Sequence, residues 1–217
     1  GILVGTQMLA KGHDLPNLTL VCVVGIDEGL FSADFRSREK LAQLLIQVAG
    51  RAGRAHKAGT VLLQTHHPEH PLLLTLINGG YHAFAGEELQ QRCDAGFPPF
   101  VHLALLRAET KQADAPLQFL RTARQLLEPW TGRRAPVARA SAGHAPQAGP
   151  ALALELNGPM PAPMPRRAGM HRAQLLVSCA DRRELHRALG QVVAQLHALP
   201  EARKVRWSLD VDPVDLY

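Results

Sequence analysis

One continuous apolar run, at residues 18–24, constrains the fold of this 217-residue chain more than any other stretch. An apolar run without polar alternation is typical of a parallel strand that is covered on both faces. Residues 2–4 and 60–65 predict two more buried strands. Between them, apolar residues at helical spacing follow Ser37, which we expect to cap a helix. Strand, loop, strand, helix and strand predict the end of an α/β domain with a parallel sheet.

The pattern changes beyond residue 70. Residues 71–91 predict a helical connector, which ends in Phe97-Pro-Pro-Phe100, a sequence that we expect to be stiff and extended. The remainder predicts strands at 101–109, 152–156, 171–179 and 205–211 and helices at 115–127 and 181–199, the first helix with Asp114 as its N-cap. This β-α-β-β-α-β order is the ferredoxin-like arrangement of an α+β domain.

Three segments are therefore predicted: the α/β part at 1–70, the helical connector at 71–98 and the α+β domain at 99–217. The last contains a Pro-rich stretch at 158–165, which we place outside the strands. It also contains residues 131–150, which are rich in Ala, Pro, Gly and Arg and offer little to bury. We expect that segment to be a mobile insertion.

Charge is unevenly distributed along the chain. Residues 99–217 carry 16 of the 24 Lys and Arg but only 10 of the 19 Asp and Glu, and this half therefore supplies the net charge of +5. Such an excess favours a polyanion or an acidic peptide as partner, although a solubilising surface has the same signature.

Cysteine spacing and hydropathy narrow the class of protein. The 3 cysteines lie far apart, which disfavours a zinc site or a disulfide framework within this chain and suits a reducing cytoplasm. No apolar run reaches the roughly 20 residues of a membrane span. The chain begins with Gly1 rather than Met, and we expect it to be part of something longer.

Residues 47–54, Gln-Val-Ala-Gly-Arg-Ala-Gly-Arg, combine residue types suited to a nucleotide phosphate. Arg51 and Arg54 are fixed cations with planar hydrogen-bonding forks, while Gly50 and Gly53 let the backbone come close to a ligand. Gln47 can bind a planar polar group or orient a water molecule. The pattern resembles motif VI of superfamily 2 helicases, in which the last arginine contacts the γ-phosphate. A simple Gly/Arg turn or basic tail is the alternative.

A second segment, residues 5–16, resembles motif V of the same helicases. The resemblance implies contacts with a nucleic-acid phosphate from Gly5, Thr6, Gln7 and Lys11. It also implies that Gly12 and Asp14 lie at the nucleotide, with Asp14 reaching the ribose. For His13, between them, we favour the role of a packed loop histidine.

Two other sequences imitate metal sites. Residues 21–28 form an apolar run that ends in Asp27-Glu28, like a Walker B strand, but the chain contains no G-x-x-x-x-G-K-[ST] loop to work with it. We therefore expect Asp27 to be a polar residue at the edge of a cleft. His66-His-Pro-Glu-His70 offers possible metal ligands, but Pro68 breaks helical geometry, and a turn after the last strand is favoured.

Four stretches together are similar to the primosomal protein N′ (PriA) family of replication-restart helicases: residues 5–14, 29–36, 47–54 and 63–71, with further similarity at 204–213. The resemblance implies that residues 1–70 end a RecA-like helicase lobe and that the α+β domain is similar to a ribosomal S10 protein (S10-like). It implies ATP with Mg²⁺ as cofactor, shared with a lobe outside this chain, and zinc bound by cysteines elsewhere in the family.

The predicted helix at 181–199 shows a capping-box pattern, with Asp181 and Glu184, and a basic exposed face. Arg182 and His186 are four residues apart and share that face, where they could grip an acidic carboxylate. The resemblance implies that this helix binds the acidic tail of single-stranded DNA-binding protein. His186 stands where the family has a glutamine, and a solvated basic helix face remains the alternative.

A second basic segment, residues 166–172, precedes a predicted strand. Together with Trp207 it could contact a DNA backbone or stack a base, but Trp207 is equally consistent with a core residue.

The sequence thus predicts the C-terminal portion of an ATP-dependent 3′→5′ DNA helicase that restarts stalled replication forks and loads the primosome. The implied partners are forked and single-stranded DNA, single-stranded DNA-binding protein and other primosome proteins, in the cytoplasm at the nucleoid. Without a Walker A loop this chain alone should not hydrolyse ATP. A non-catalytic DNA- and protein-binding module, or an RNA helicase fragment, is the alternative.

Overall fold

The computed structural model describes residues 1–6, 18–32, 34–50, 52, 59–131 and 153–216. It divides into two compact units, Gly1–Ala95 and Gly96–Tyr217. No helix in the described ranges is long and apolar enough to cross a membrane.

The first unit contains a parallel pair of strands and three helices. They are β1 (Leu20–Val23), α1 (Asp27–Phe31), α2 (Ser37–Ala49), β2 (Thr60–Leu63) and α3 (Pro71–Asp94). One face of the strand pair packs against a core formed by Ile26, which precedes α1, and by residues of the three helices: Leu30, Leu41, Ala42, Leu45, Leu72, Leu73, Leu76 and Phe84. The parallel pairing and the apolar stripe of α2 agree with the sequence prediction.

Three predictions for this unit are wrong in detail. Residues 2–4 form no strand, and Ile2 is 96% exposed, because no described strand pairs with them. The run at 18–24 is covered on one face only, with Leu20 49% exposed and its neighbour on β2, Leu62, 52% exposed. Ser37 is the first helical residue rather than the cap, a position that Arg36 takes without a side-chain bond.

Helix α3 confirms the predicted helix beyond residue 70 and packs within the first unit. Leu72, Leu73, Leu76 and Phe84 are buried in its core, whereas Tyr81 and Leu89 are more than a third exposed. The helix is kinked at Gly80, whose φ of 69° is accessible to glycine at little cost. Its N-terminus is capped by His70, whose Nδ1 accepts a hydrogen bond from the Leu72 N–H at 3.2 Å.

The second unit has the predicted β-α-β-β-α-β order. Its elements are β3 (His102–Thr110), α4 (Ala115–Leu127), β4 (Glu155–Arg167), β5 (Met170–Cys179), α5 (Arg182–Ala198) and β6 (Arg206–Val211). The strands form one antiparallel sheet in the order β4-β5-β3-β6. Both helices pack on one face of it, around fully buried residues such as Phe119, Leu120, Leu175 and Leu185.

Three predictions for this unit need correction. The Pro-rich stretch at 158–165 lies inside β4, not beside it, because β4 is an edge strand with only one neighbour, and its register shifts twice along β5. Asp114 stands at the start of α4 but makes no side-chain capping bond. Residues 97–100 form a turn, closed by the Phe100 N–H to the Phe97 carbonyl at 3.1 Å, rather than an extended linker. Residues 132–150 of the predicted insertion lie outside the described residues.

Candidate functional site

Of the motif VI residues, the structure describes those at the end of α2. Gln47 lies exposed on the last turn of the helix, and Gly50 follows as its C-cap with its N–H donating to the Ile46 carbonyl at 2.9 Å. Arg51 and Arg54 lie outside the described residues. The helix therefore ends where the glycine–arginine segment begins, and it leaves the Gln47 side chain accessible to a ligand.

Of the motif V residues, the structure describes Gly5 and Thr6. Both are exposed and belong to no helix or strand. Gln7, Lys11, Gly12 and Asp14 lie outside the described residues. Their roles at DNA and nucleotide therefore stay predictions.

Asp27 is the first residue of α1 and lies just beyond the carboxyl end of β1. There it contacts the segment that follows β2. Its carboxylate accepts hydrogen bonds from the Thr65 hydroxyl, from the His66 N–H at 3.1 Å and from the His66 ring at Nδ1, 2.6 Å away. The Thr65 hydroxyl, followed by His66, lowers the pKa of Asp27 to about 2. The carboxylate is thus held ionised by donors from this chain.

The histidines at 66–70 lie in the predicted turn, and each has a separate role. His66 binds Asp27, His70 caps α3, and the His67 ring packs edge-on against Phe31 with centroids 4.7 Å apart. In the described part of the chain, no group of three or more His, Cys, Asp or Glu is placed to hold a metal ion.

Helix α5 presents a basic face at its N-terminal end. The Asp181 carboxylate caps the helix, accepting from the N–H groups of Arg183 at 2.6 Å and Glu184 at 3.2 Å. Arg182 and His186 share one exposed face, as their spacing predicts, and Arg182 Nε lies 3.4 Å from His186 Nε2. Arg183 and Arg187 are exposed beside them.

Two carboxylates already neutralise part of this face. Asp212, just after β6, places Oδ2 3.2 Å from Arg182 Nη2, and the Glu184 carboxylate lies 2.5 Å from Arg187 Nη1. Glu184 therefore pairs with an arginine of its own helix. Among the described residues, Arg183 has no ion pair and is the cation best placed for an external ligand.

The opposite end of the sheet, where β3 and β4 end and β5 and β6 begin, is strongly basic. We call this surface the basic end; its members are Lys111, Arg166, Arg167, Arg172, Arg203, Lys204 and Arg206. Glu109 is shared between Arg172 at 3.7 Å and Arg206 at 3.5 Å. With Asp114 and Glu201 it gives three carboxylates at this end against seven basic side chains, so cationic charge remains for a polyanion.

The sheet face away from the helices is closer to neutral. Arg107 lies on this face and pairs with Asp210 and Asp215, each at 3.3 Å. Next to it is a shallow depression of about 170 Å³, lined in part by Glu109, Arg172 and Arg206. Arg107 is held by carboxylates of this chain, whereas Arg172 and Arg206 belong to the basic end, so the basic end suits a polyanion better than this face does.

Trp207 does not face that open side of the sheet. It pairs with Ala108, which points into the helix-covered core, and its ring lies 5.7 Å from Phe119 and 4.7 Å from His197, centroid to centroid. The partly buried ring packs against the core, which favours a structural role over base stacking.

Comparison with known families adds the decisive observation. The profile described as "Primosomal protein N C-terminal domain" matches residues 94–214. The chain belongs to this family. The match begins next to the boundary between the two units, after Ala95, and covers the β-α-β-β-α-β unit almost entirely.

Curated relatives of this family extend the similarity to the first unit. The replication restart protein PriA of Haemophilus influenzae is 46% identical over 215 residues, which are 99% of this chain and 27% of that protein. The PriA proteins of Synechocystis and Bacillus subtilis are 34% and 32% identical, over 99% and 98% of this chain and 23% and 24% of theirs. The chain spans about a quarter of the length of these relatives.

A solved structure, the de novo designed protein Foldit4, covers 52% of the chain with a TM-score of 0.34 and 5% identity, a likeness too weak to support an argument.

The sequence analysis did not identify two residues at the basic face of α5. Arg183, next to Arg182 on the basic helix, was given no role, and neither was Asp212. No sequence signal pointed to Asp212, which in the structure adopts a φ of 53° that Asp tolerates better than most residues. Its contact with Arg182 joins residues 30 positions apart and depends on the packing of β6 beside α5.

Proposed function

We propose that this chain is the C-terminal part of a superfamily 2, ATP-dependent 3′→5′ DNA helicase that restarts stalled replication forks. Residues 1–70 would end its second, RecA-like lobe, and residues 99–217 would be its ferredoxin-like, S10-like domain. The supporting observation is 46% identity to a replication restart protein over 99% of the chain, a span that includes both helicase-like motifs. The proposal extends to the longer protein of which such a chain would be a quarter.

In that protein Arg54 stabilises the negative charge that develops on the γ-phosphate, and Arg51 and Gln47 link the nucleotide to DNA. Gly50 allows the backbone to approach the nucleotide, while Gly12 and Asp14 contact its ribose side. Gly5, Thr6, Gln7 and Lys11 hold the DNA backbone. ATP with Mg²⁺ supplies the transferable phosphoryl group. The protein loop that binds the ATP phosphates belongs to the first lobe. Zinc, where the family carries it, has no candidate ligand cluster among the described residues.

The experiment for this part replaces Arg54 by Ala in the full-length protein. Unwinding of forked DNA and DNA-stimulated ATP hydrolysis should fall by about 10³–10⁵, the range found for arginine fingers, while DNA affinity is retained. Arg54→Lys is the matched control, which keeps the charge without the bidentate fork and should recover little activity. Wild-type rates of ATP hydrolysis in Arg54→Ala would contradict the proposed role.

The second unit contributes binding rather than hydrolysis. The basic end fits the DNA backbone, because its cations outnumber its carboxylates and all of them except Arg172 lie exposed on strand ends and turns. Arg166→Glu with Arg167→Glu should weaken binding of forked DNA at least tenfold and reduce the salt dependence of the affinity. Arg183→Glu makes the same kind of charge change on α5 and should leave DNA affinity within about twofold. An equal loss in both would place the DNA elsewhere.

The basic face of α5 fits the acidic tail of single-stranded DNA-binding protein. Arg182 and Arg183 offer charged donors to carboxylates, and His186 adds a hydrogen-bonding ring beside them. Arg182→Ala should weaken a labelled tail peptide by about three- to tenfold, the loss expected of a partly exposed charged hydrogen bond. Arg121→Ala, an exposed arginine on α4, is the control. Equal affinities of the two variants would exclude this face.

A non-catalytic module is the second candidate, because both proposed binding surfaces lie in a unit that contains neither helicase-like motif. Full-length protein that binds forked DNA and the peptide but turns over no ATP would favour it. Tighter binding of RNA than of forked DNA would instead indicate an RNA helicase.

A further inference from the structure

The arginine proposed to receive an external carboxylate already holds an internal one. Asp212 Oδ2 lies 3.2 Å from Arg182 Nη2, and the partners are about half exposed, with 42% and 61% of their side chains accessible. On the same guanidinium, Nε faces His186 Nε2 at 3.4 Å. Two of the three guanidinium nitrogens are therefore directed at groups of this chain.

This arrangement occupies one of the two edges through which Arg182 can bind a carboxylate with two donors. A carboxylate binds arginine most strongly as a fork, with two parallel N–H donors from one edge of the guanidinium. The edge formed by Nε and Nη2 is the one taken by His186 and Asp212. An external carboxylate reaches that edge only after Asp212 has moved away.

Asp212 is also held where it can compete. Its backbone lies in the left-handed region with φ of 53°, and its N–H donates to the Leu103 carbonyl at 2.9 Å. This bond ties the residue to the start of β3 and fixes the backbone from which the carboxylate side chain reaches α5. The Asp212 side chain is still exposed enough for a ligand carboxylate to replace it at Arg182.

We propose that Asp212 is an intramolecular competitor that occupies Arg182 and lowers the affinity of the α5 face for acidic peptides. The inference rests on the proposed peptide site. It adds that the site is partly closed in the free chain and opens when the peptide carboxylate displaces Asp212. Peptides with several carboxylates are then favoured over singly charged ones, because they meet Arg183 as well.

The test uses the complete chain with Asp212→Asn and the labelled tail peptide of single-stranded DNA-binding protein. Asparagine adopts the left-handed conformation readily, so the substitution removes the charge and keeps the backbone. Since exposed ion pairs contribute little, peptide affinity should rise by about two- to fivefold. Asp215→Asn is the control, because it removes the same charge from the same segment, while wild-type Asp215 pairs with Arg107 rather than Arg182. It should change the peptide affinity less than Asp212→Asn does.

Arg182→Ala in both backgrounds separates this inference from the peptide site itself. With Arg182 absent, Asp212→Asn should have no more effect than Asp215→Asn. Suppose that Arg182→Ala lowers the affinity for the peptide while Asp212→Asn raises it no more than the Asp215→Asn control does. In that case the proposed competition by Asp212 is wrong, and the proposed peptide site is retained. If Arg182→Ala has no effect, or no variant binds the peptide, both are wrong. Preference for a single-stranded oligonucleotide at the same arginines would assign the face to phosphates.

Discussion

At the scale of single residues, Asp27 shows how a motif-like acid is used by its own neighbours. In sequence it ends an apolar run in the manner of a metal-binding acid. In the structure Thr65 and His66, which follow β2, supply three hydrogen bonds to its carboxylate. The contact ties the ends of β1 and β2 together at the edge where parallel sheets carry their ligand-binding loops.

The lowered pKa of Asp27 gives a testable pH dependence. Because the pKa of the folded carboxyl is lowered from its ordinary value of 3.8 to about 2, its contribution to stability is present above about pH 4 and is lost as the pH falls toward 2. Thr65→Val removes the donor with the largest effect, so the pKa of Asp27 should rise toward 3.8. Carbon NMR titration of the Asp27 carboxyl measures this directly. An unchanged pKa in Thr65→Val would show that Thr65 is not the main cause.

His70 predicts a pH dependence at higher pH. Burial, followed by the positive charges of Arg38 and His67, lowers its pKa, so the folded state favours the neutral ring that accepts the Leu72 N–H. Its contribution is therefore complete above about pH 6.5 and decreases as the pH falls through the folded-state pKa. His70→Asn keeps a capping acceptor that does not titrate. In urea unfolding, its free energy of unfolding should therefore change less between pH 7.5 and pH 5.5 than that of the wild type.

His70→Ala is the matched control for that experiment. It removes the cap, so it should lower the free energy of unfolding by about 0.5–2 kcal/mol at pH 7.5 and by less at pH 5.5, where the wild-type cap is already weakened. If the free energy of unfolding of His70→Asn changes between the two pH values as much as that of the wild type, another histidine causes the pH dependence.

At the scale of elements, α2 and α3 are joined by a nearly buried ion network. Glu88 on α3 is only 7% exposed and binds Arg92 Nε at 2.9 Å, with Arg38 Nε of α2 at 3.5 Å. Arg92 reaches back to Glu39 at 2.8 Å and lies over the Phe35 ring, 5.2 Å from its centroid. Since α2 ends at Gly50, this network orients the helix that leads into the glycine–arginine segment.

Removing Glu88 should be costly because it leaves Arg92 with less compensation in a poorly hydrated place. Glu88→Ala should lower the free energy of unfolding by about 3–5 kcal/mol, the range for breaking a buried pair. Glu87→Ala, at the exposed neighbouring position that binds Thr75, should cost less than about 1 kcal/mol. Urea denaturation of both variants provides the comparison. Equal losses would mean that the network contributes no more than a surface contact.

The elements also show what the sequence could predict. Helical spacing located α2, α3, α4 and α5 to within a few residues, because each has an apolar stripe that packs on a core. The strand predicted at 152–156 overlaps β4 only at residues 155 and 156, since prolines at 159, 161, 163 and 165 disfavour a central strand. On an edge strand, alternate backbone N–H groups point away from the sheet, so prolines at alternate positions are tolerated and discourage pairing with other chains.

At the scale of the whole molecule, the candidate sites were only partly accessible from sequence. Motif spacing could name Arg51, Arg54 and Lys11, but they lie outside the described residues, so their roles remain proposals. Arg182 and His186 were correctly placed on one face, because helical periodicity determines that. Residues 166–172 were recognised as basic, but their proximity to Arg203, Lys204 and Arg206, like the contact of Asp212 with Arg182, could not be foreseen, since both depend on which strand ends the sheet brings together.

Within the second unit the two proposed binding surfaces lie far apart. The basic end is at the start of β5, whereas Arg182 follows its last residue, Cys179. With 10 residues at about 3.4 Å each, β5 separates them by about 30 Å. The Debye length at physiological salt is only about 8 Å, so a ligand at one surface should barely affect the other.

The central claim, that one domain binds DNA and an acidic tail at separate surfaces, is tested most directly by a peptide titration with and without DNA. The labelled tail peptide of single-stranded DNA-binding protein is titrated with the complete chain, alone and saturated with forked DNA, and followed by fluorescence anisotropy. The account predicts that the peptide Kd changes by less than about twofold and that DNA-saturated chain still binds peptide. A peptide Kd that rises in proportion to DNA occupancy would contradict it, because the two ligands would then compete for one site.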